Sequence, residues 1–324
     1  MRVIFMGTPD IAVGVLKALA KEHEVVLAVS QPDKPKGRGG RTQPTPVKEA
    51  ALALGIPVFQ PGRVRSETCI TELKKYNADV IVVIAFCQII PKEILEMAPY
   101  GCMNIHASLL PKYRGAAPIQ WAVINGEEVS GVTTMQMDEG LDTGDILLKK
   151  EIVLEAKETG GTLYDKIAQA GAELCIETLR KLQSGEIVPQ KQPKESPTPY
   201  ARMLDKELGN IDWNSSAVSI ERLIRGLSPW PSAYTNWDGR TMKIWQAEVC
   251  GGEGNEGAVA EEKGIGAEKR PGEVVRVEKD GFYVQTGDGV LKITELQLPG
   301  KKRMDAGAFL RGYSIKMGEI LKKC

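Results

Sequence analysis

The sequence predicts an α/β domain, with a mostly parallel sheet and helices on both faces, followed by a small β-barrel domain. Three observations carry this. Across the first half, apolar strand-length segments alternate with amphipathic helical ones. The central strand segments, above all the run at residues 80–87, are continuously apolar, as strands covered on both faces are. From Ile211 the pattern changes, and after one helix it becomes short strand-like stretches punctuated by glycine, which suits a small closed barrel.

Residues 3–6 read as a buried strand. The turn Gly7-Thr8-Pro9-Asp10 then leads to a helix over 11–20. A second strand covers 24–30, and a polar loop rich in proline and glycine covers 31–46. A helix near 47–54, a short strand at 58–59 and a helix over 66–76 precede the strand at 79–86. The next strand is 103–107. A helix is expected over 115–125, and strands at 131–138 and 145–153 flank the loop 139–144. A long amphipathic helix over 162–183 ends at Ser184-Gly185. The first domain is therefore 1–188. Four prolines between 189 and 199 have linker composition, giving a linker over 189–206 and a second domain over 207–324. In that domain a helix at 216–225 precedes strands at 233–237, 242–249, 272–278, 281–286 and 289–296. Residues 250–269, rich in glycine and glutamate, read as a long turn without structure of its own.

With 324 residues the chain has room for two cores. Apolar residues make up 42% and charged residues 26%, the balance of a soluble globular protein. A formal net charge of +0 excludes whole-molecule steering toward a polyanion and leaves local basic patches open. The six cysteines are scattered, without a C-x-x-C pair, and two histidines offer no zinc set, so no metal is expected. A reducing compartment, the cytoplasm, follows. Residues 1–7 read as a strand rather than a signal peptide, and the longest apolar run is too short for a bilayer.

Asn104 and His106 lie two residues apart in an extended segment, so both side chains leave one face while Met103 and Ile105 leave the other. A carboxamide beside an imidazole suits a site that handles a carbonyl and a proton. A buried histidine paired with a carboxylate for stability is the alternative. Asp142, in the turn Asp142-Thr143-Gly144-Asp145, is the candidate acid. Ligands on parallel sheets bind beyond the carboxyl ends of the strands, where Gly7, Cys87 and His106 are expected. G-x-G-x-x-G and G-x-x-x-x-G-K-[ST] are both missing, which argues against a dinucleotide or ATP site. Residues 31–48 carry Lys34, Lys36, Arg38, Arg41 and Lys48 against one acid, Asp33. A basic, adaptable loop of this kind suits a phosphate backbone, although an ordinary solvated charge run has the same composition. The C-terminal stretch repeats the sign, with Lys301, Lys302 and Arg303 at its centre. Trp213, Trp230, Trp237 and Trp245 are expected mainly in the core.

The stretch Asn104-Ile105-His106-Ala107-Ser108-Leu109-Leu110-Pro111-Lys112-Tyr113-Arg114-Gly115 closely resembles the methionyl-tRNA formyltransferases. The 142–145 turn, Met6-Gly7-Thr8-Pro9-Asp10, Gln31-Pro32-Asp33 and Arg225-Gly226-Leu227-Ser228-Pro229-Trp230-Pro231 match the same family. The resemblance implies a Rossmann-like catalytic domain and a barrel of the oligonucleotide-binding (OB) type. It implies 10-formyltetrahydrofolate as formyl donor, with no metal, and the amino group of initiator methionyl-tRNA as acceptor. It implies no stable protein partner and no membrane. Asn104, His106 and Asp142 would be catalytic. The folate pocket would draw on Phe86, Cys87, Ile89, Ile90, Pro91, Ser108, Leu109, Leu110, Pro111, Asp138 and Gly140. Lys34, Lys36, Arg38, Arg41 and Arg303 would contact the tRNA. Relatives usually carry glycine where this chain has Cys87, so the pocket wall gains a Cβ and a thiol. Other folate-dependent formyltransferases, acting on a small amine or a nucleotide sugar, and a non-catalytic tRNA-binding protein are the competing readings.

Overall fold

The computed structural model describes residues 1–35, 42–250 and 269–324. Lys36, Arg38 and Arg41, and nearly all of the expected turn at 250–269, lie outside the described residues. In chain order the elements begin with β1 (Arg2–Gly7), α1 (Ile11–Glu22), β2 (Glu24–Val29), β3 (Lys34–Pro35), β4 (Thr42–Gln43) and α2 (Pro46–Ala53). Next come β5 (Val58–Phe59), α3 (Glu67–Lys74), β6 (Val80–Ile84), α4 (Lys92–Leu95), β7 (Cys102–His106) and α5 (Pro118–Ile124). Then follow β8 (Val129–Gln136), β9 (Ile146–Val153), α6 (Gly160–Gln183), α7 (Ala217–Gly226), β10 (Ala233–Trp237) and β11 (Arg240–Cys250). The last are β12 (Val274–Glu278), β13 (Gly281–Gln285), β14 (Val290–Gln297), β15 (Met304–Asp305) and α8 (Ala306–Gly312).

The chain forms two units, the first comprising Met1–Pro118, Glu128–Leu154 and Leu163–Arg202. Its seven-stranded sheet runs in the order β5-β2-β1-β6-β7-β8-β9. The first five strands are parallel, and β8 and β9 add antiparallel at one edge. One face, bearing Ile4, Met6, Ile81 and Val83, packs on α3 and α4 through Cys69, Leu73, Ile94 and Leu95. On the other face α6 crosses so closely that a Cβ on Gly171 would sit 3.3 Å from Ile105. This is the expected Rossmann-like sheet covered on both faces. Its strand order reverses between β1 and β6, and the crevice at such a switch point opens at the carboxyl ends of the strands. Gly7 stands there for packing: a Cβ would meet Ala12 Cβ at 2.9 Å and the Ile84 carbonyl at 3.1 Å.

The helix expected over 115–125 starts only at Pro118. Gly115 has φ 129°. The amides of Ala116 and Ala117 donate to the Ala201 carbonyl, at 2.8 and 3.1 Å, and Ala117 precedes Pro118, whose ring disfavours helical backbone at that position. Residues 189–202, read from composition as linker, are hydrogen-bonded along this unit. Ile146 and Gln190 exchange two backbone bonds of 2.8 Å, and Ala201 pairs with Arg114 and Gly115. A proline-rich segment has few amides for a ladder of its own, so its carbonyls and side chains are open to neighbours.

The second unit comprises Ile119–Glu127, Glu155–Thr162 and Met203–Cys324. Its strands run β10-β11-β14-β13-β12, with β15 beside β14. The C-terminal tail closes the two edges: Lys322 bridges Asn236 of β10, and Ile320 bridges Glu273 beside β12. The expected barrel results. Trp213 and Trp237 are buried in its core, with Trp237 edge-on to Phe309 of α8 at 5.2 Å. Trp230 is 56% exposed, contrary to the core expectation. The helix α8, capped by Asp305 on the Ala308 amide, was not anticipated because its small residues carry little apolar periodicity.

Candidate active site

Strand β7 presents Asn104 and His106 on one side of the sheet. Buried Met103 and Ile105 point to the other, as the alternation predicts. Among the described residues none hydrogen-bonds the Asn104 carboxamide, and the residue is only half-buried. His106 is 6% exposed. Its Nε2 lies 3.0 Å from the Tyr113 carbonyl. A carbonyl only accepts, so Nε2 carries the hydrogen, and the neutral ring is left with its lone pair on Nδ1. Nδ1 faces Asp142 Oδ1 at 3.7 Å. The structure thus brings together the three groups that the sequence keeps up to 38 positions apart (104 and 142).

Each partner is held by its own loop. In the loop after β7, Ser108 Oγ donates to Lys112 O at 2.6 Å and Ser196 Oγ donates to Pro111 O at 2.8 Å. Thr133 of β8 receives the Leu110 amide and donates to Ser108 O, at 3.0 and 2.7 Å. The loop between β8 and β9 is shaped by Asp138, whose carboxylate accepts from the Gly140 amide and from Thr143 Oγ1, at 3.0 and 2.9 Å. Asp142 has φ 56°, and its Oδ2 accepts from the Gly115 amide at 2.9 Å. Gly115 cannot carry a side chain, since a Cβ would sit 2.6 Å from the Ala201 carbonyl and 2.9 Å from the Tyr200 ring. Burial, then the charge of Asp142, pushes the Tyr200 phenol up.

The positions expected around folate divide by burial. Phe86 and Ile90 are buried in the sheet core, so what they can offer a ligand is backbone. Leu110 is buried against Met135 and Ile146, and Ser108 is spent on its own loop. Cys87, Ile89, Asp138 and Gly140 are exposed, while Pro91, Leu109 and Pro111 are half-buried. Cys87 has φ 62°, the left-handed backbone in which glycine is unstrained. Cys87→Gly removes about 1–2 kcal/mol of that strain and adds about 0.5–1 kcal/mol of unfolded-state entropy. A net stabilisation of up to about 1.5 kcal/mol, seen as a higher urea midpoint, is expected.

Lys34 is exposed on the β3-β4 hairpin. The hairpin's root is fixed by Asp33, which accepts from Gln60 Nε2 at 2.7 Å and Lys48 Nζ at 2.5 Å. Those two bonds hold the Asp33 carboxyl below the usual range, and they commit Lys48, which sequence composition had counted among the basic residues of this loop. In the second unit Arg303 makes a two-pronged ion pair with Glu295 and covers Trp245 at 4.9 Å. Arg114 and Gln192 hold the Asp142 loop and were missed. Arg114 stood inside the matched motif, but nothing in a proline-rich stretch singles out Gln192.

Residues 1–179 match the formyl transferase family, and residues 203–314 match the formyl transferase C-terminal domain. Methionyl-tRNA formyltransferase from Agathobacter rectalis is 54% identical over 321 residues, covering 99% of both chains. That from Lachnospira eligens is 54% identical over 322 residues, again with 99% of both chains covered. Two solved structures share the fold at 19% identity. WlaRD, a sugar 3N-formyl transferase, has a TM-score of 0.63 over 93% of this chain and 99% of its own. The N-formyltransferase from Helicobacter canadensis, solved with folinic acid and dTDP-3-aminofucose, has 0.62 over 90% and 97%. Among the described residues no group of acidic, histidine or cysteine side chains could hold a metal, and no helix is long and apolar enough to cross a membrane. With both family matches in place and near-complete coverage at 54% identity, the chain belongs to the methionyl-tRNA formyltransferase family.

Proposed function

We propose that the chain transfers the formyl group of 10-formyltetrahydrofolate to the α-amino group of methionine on initiator methionyl-tRNA, with Asn104, His106 and Asp142 as the catalytic residues. The observation that carries the assignment is the 54% identity over 99% of both chains to a methionyl-tRNA formyltransferase. The roles follow from the site's geometry. The donor supplies an activated formyl carbon. As the amine adds to it, negative charge develops on the formyl oxygen and positive charge on the amine. The unengaged Asn104 amide donates to that oxygen. The amine's proton passes to His106 Nδ1, the ring atom with the free lone pair. Asp142, 3.7 Å away, stabilises the imidazolium that forms, while Tyr113 O keeps the ring from turning. As the tetrahedral adduct collapses, the bond from the formyl carbon to folate N10 breaks and the imidazolium gives its proton to that nitrogen, releasing tetrahydrofolate and the formylated amine. The folate would rest against the 86–91, 108–111 and 138–140 loops.

Lys34, Lys36, Arg38 and Arg41 would meet the acceptor's phosphates, with Arg303 as a contact from the barrel. Neutralising the four loop cations should weaken acceptor binding and flatten the slope of log K against log salt by about 3 if all four meet phosphate. A cytoplasmic location is part of this reading, supported by the six free cysteines and the charged-tRNA acceptor. The test uses the purified chain, labelled formyl donor and charged initiator tRNA, with elongator methionyl-tRNA and an amino sugar nucleotide as controls. Formylation confined to the initiator is expected. Equal rates on both tRNAs, or turnover only with the sugar nucleotide, would overturn the proposal.

A further inference from the structure

We propose that Arg114 and Gln192 are positioning residues for Asp142: a buried guanidinium locks one carboxamide, and that carboxamide holds the loop presenting the carboxylate to His106. The inference rests on the catalytic role given to Asp142 above. Asp142 sits in left-handed backbone, φ 56°, a conformation that costs any residue with a Cβ although aspartate bears it better than most. What imposes it here is specific. Gln192 Nε2 donates to the Asp142 carbonyl at 2.9 Å and to the Gly144 carbonyl at 2.7 Å, one hydrogen to each side of Thr143. The amide cannot flip, because Arg114 Nε and Nη2 donate to Gln192 Oε1 at 3.2 and 2.9 Å.

Arg114 is 7% exposed and pairs with no carboxylate among the described residues. Its remaining bonds go to the carbonyls of Pro193 at 2.8 Å and Lys194 at 3.1 Å, the two residues following Gln192. Burying a cation against neutral acceptors alone is costly, so stability is a poor reason for it. The next residue, Gly115, donates its amide to Asp142 Oδ2 at 2.9 Å. Arg114-Gly115 and Gln192 therefore grip Asp142 at both its backbone oxygen and its carboxylate. The two backbone bonds between Ile146 and Gln190 set the register that brings Gln192 to the loop.

Gln192→Glu keeps the contact with Arg114 but turns an oxygen toward two carbonyl oxygens. With charged initiator tRNA and formyl donor, kcat should fall roughly 10- to 100-fold while both KM values stay near the parent's. Amide exchange at Gly115 should quicken. Gln192→Met, which removes the donors without adding charge, should move both readouts the same way and decides the matter if Gln192→Glu fails to fold. In an Asp142→Asn background, Gln192→Met should cost little more, because both changes act through one group. Independent, multiplying losses in that cycle would overturn the proposal. So would parental kcat and exchange in the Gln192 variants alongside an impaired Asp142→Asn. Parental turnover in Asp142→Asn itself would instead bring down the catalytic reading on which this one rests.

Discussion

Replacing His106 with alanine should lower kcat by about 10²–10⁴-fold, the usual worth of a positioned general base, while the affinity for charged tRNA changes little. The amine must lose a proton as the new bond forms, and His106 Nδ1 is the lone pair facing the Asp142 carboxylate, at 3.7 Å. His106→Gln separates chemistry from folding. Its side-chain amide can still donate to the Tyr113 carbonyl, whereas alanine removes that hydrogen bond at a cost of about 0.5–1.5 kcal/mol. Both variants should lose turnover, and alanine alone should also lose measurable stability. Single-turnover formylation and thermal unfolding measured side by side check this. Near-parental turnover in the glutamine variant would contradict the assignment.

Asn104→Ala should cost about 10²–10³-fold in kcat, or about 3–4 kcal/mol, as loss of one oxyanion donor does elsewhere. The figure is this large because the carboxamide has no structural duty: nothing among the described residues bonds it, so its donors are available to the reacting oxygen. For the same reason Asn104→Ala should leave stability close to the parent's. Asn104→Asp should be at least as slow, since a carboxylate would then oppose the charge that develops on the oxygen. Measuring kcat for both variants, with denaturant unfolding as the control, tests the role. A variant with lowered stability and normal kcat would mean that Asn104 serves the fold and not the reaction.

Much of the first unit is legible in the sequence because its signals are local. The run at 80–84 is β-branched and becomes the central β6, and the alternation around 103–106 places Asn104 and His106 on one face as expected. The short strands of the barrel are likewise marked by their glycine turns. What is not legible depends on contacts distant in sequence. Residues 189–202 look like linker because their bonding partners, Pro111 to Ala117 and Asp142 to Ile146, lie 44 to 87 positions earlier. Residues 114–117 are tied to Ala201, and α5 starts only at Pro118, as the restricted backbone before a proline favours. The tautomer of His106 hangs on a backbone carbonyl seven residues on, in a loop whose shape is set by Ser196, Thr198 and Thr133. Arg303 reads as a free cation in sequence, yet it is paired to Glu295 across the β14-β15 strand pair.

The chain has only two histidines, so a ¹⁵N histidine spectrum followed through pH, with a His23→Gln variant for assignment, addresses the His106 ring directly. The account predicts that in the neutral ring His106 Nε2 carries the hydrogen, donating to Tyr113, while Nδ1 is unprotonated. A neutral ring carrying its hydrogen on Nδ1 would turn the lone pair away from Asp142 and contradict the proposed path of the proton.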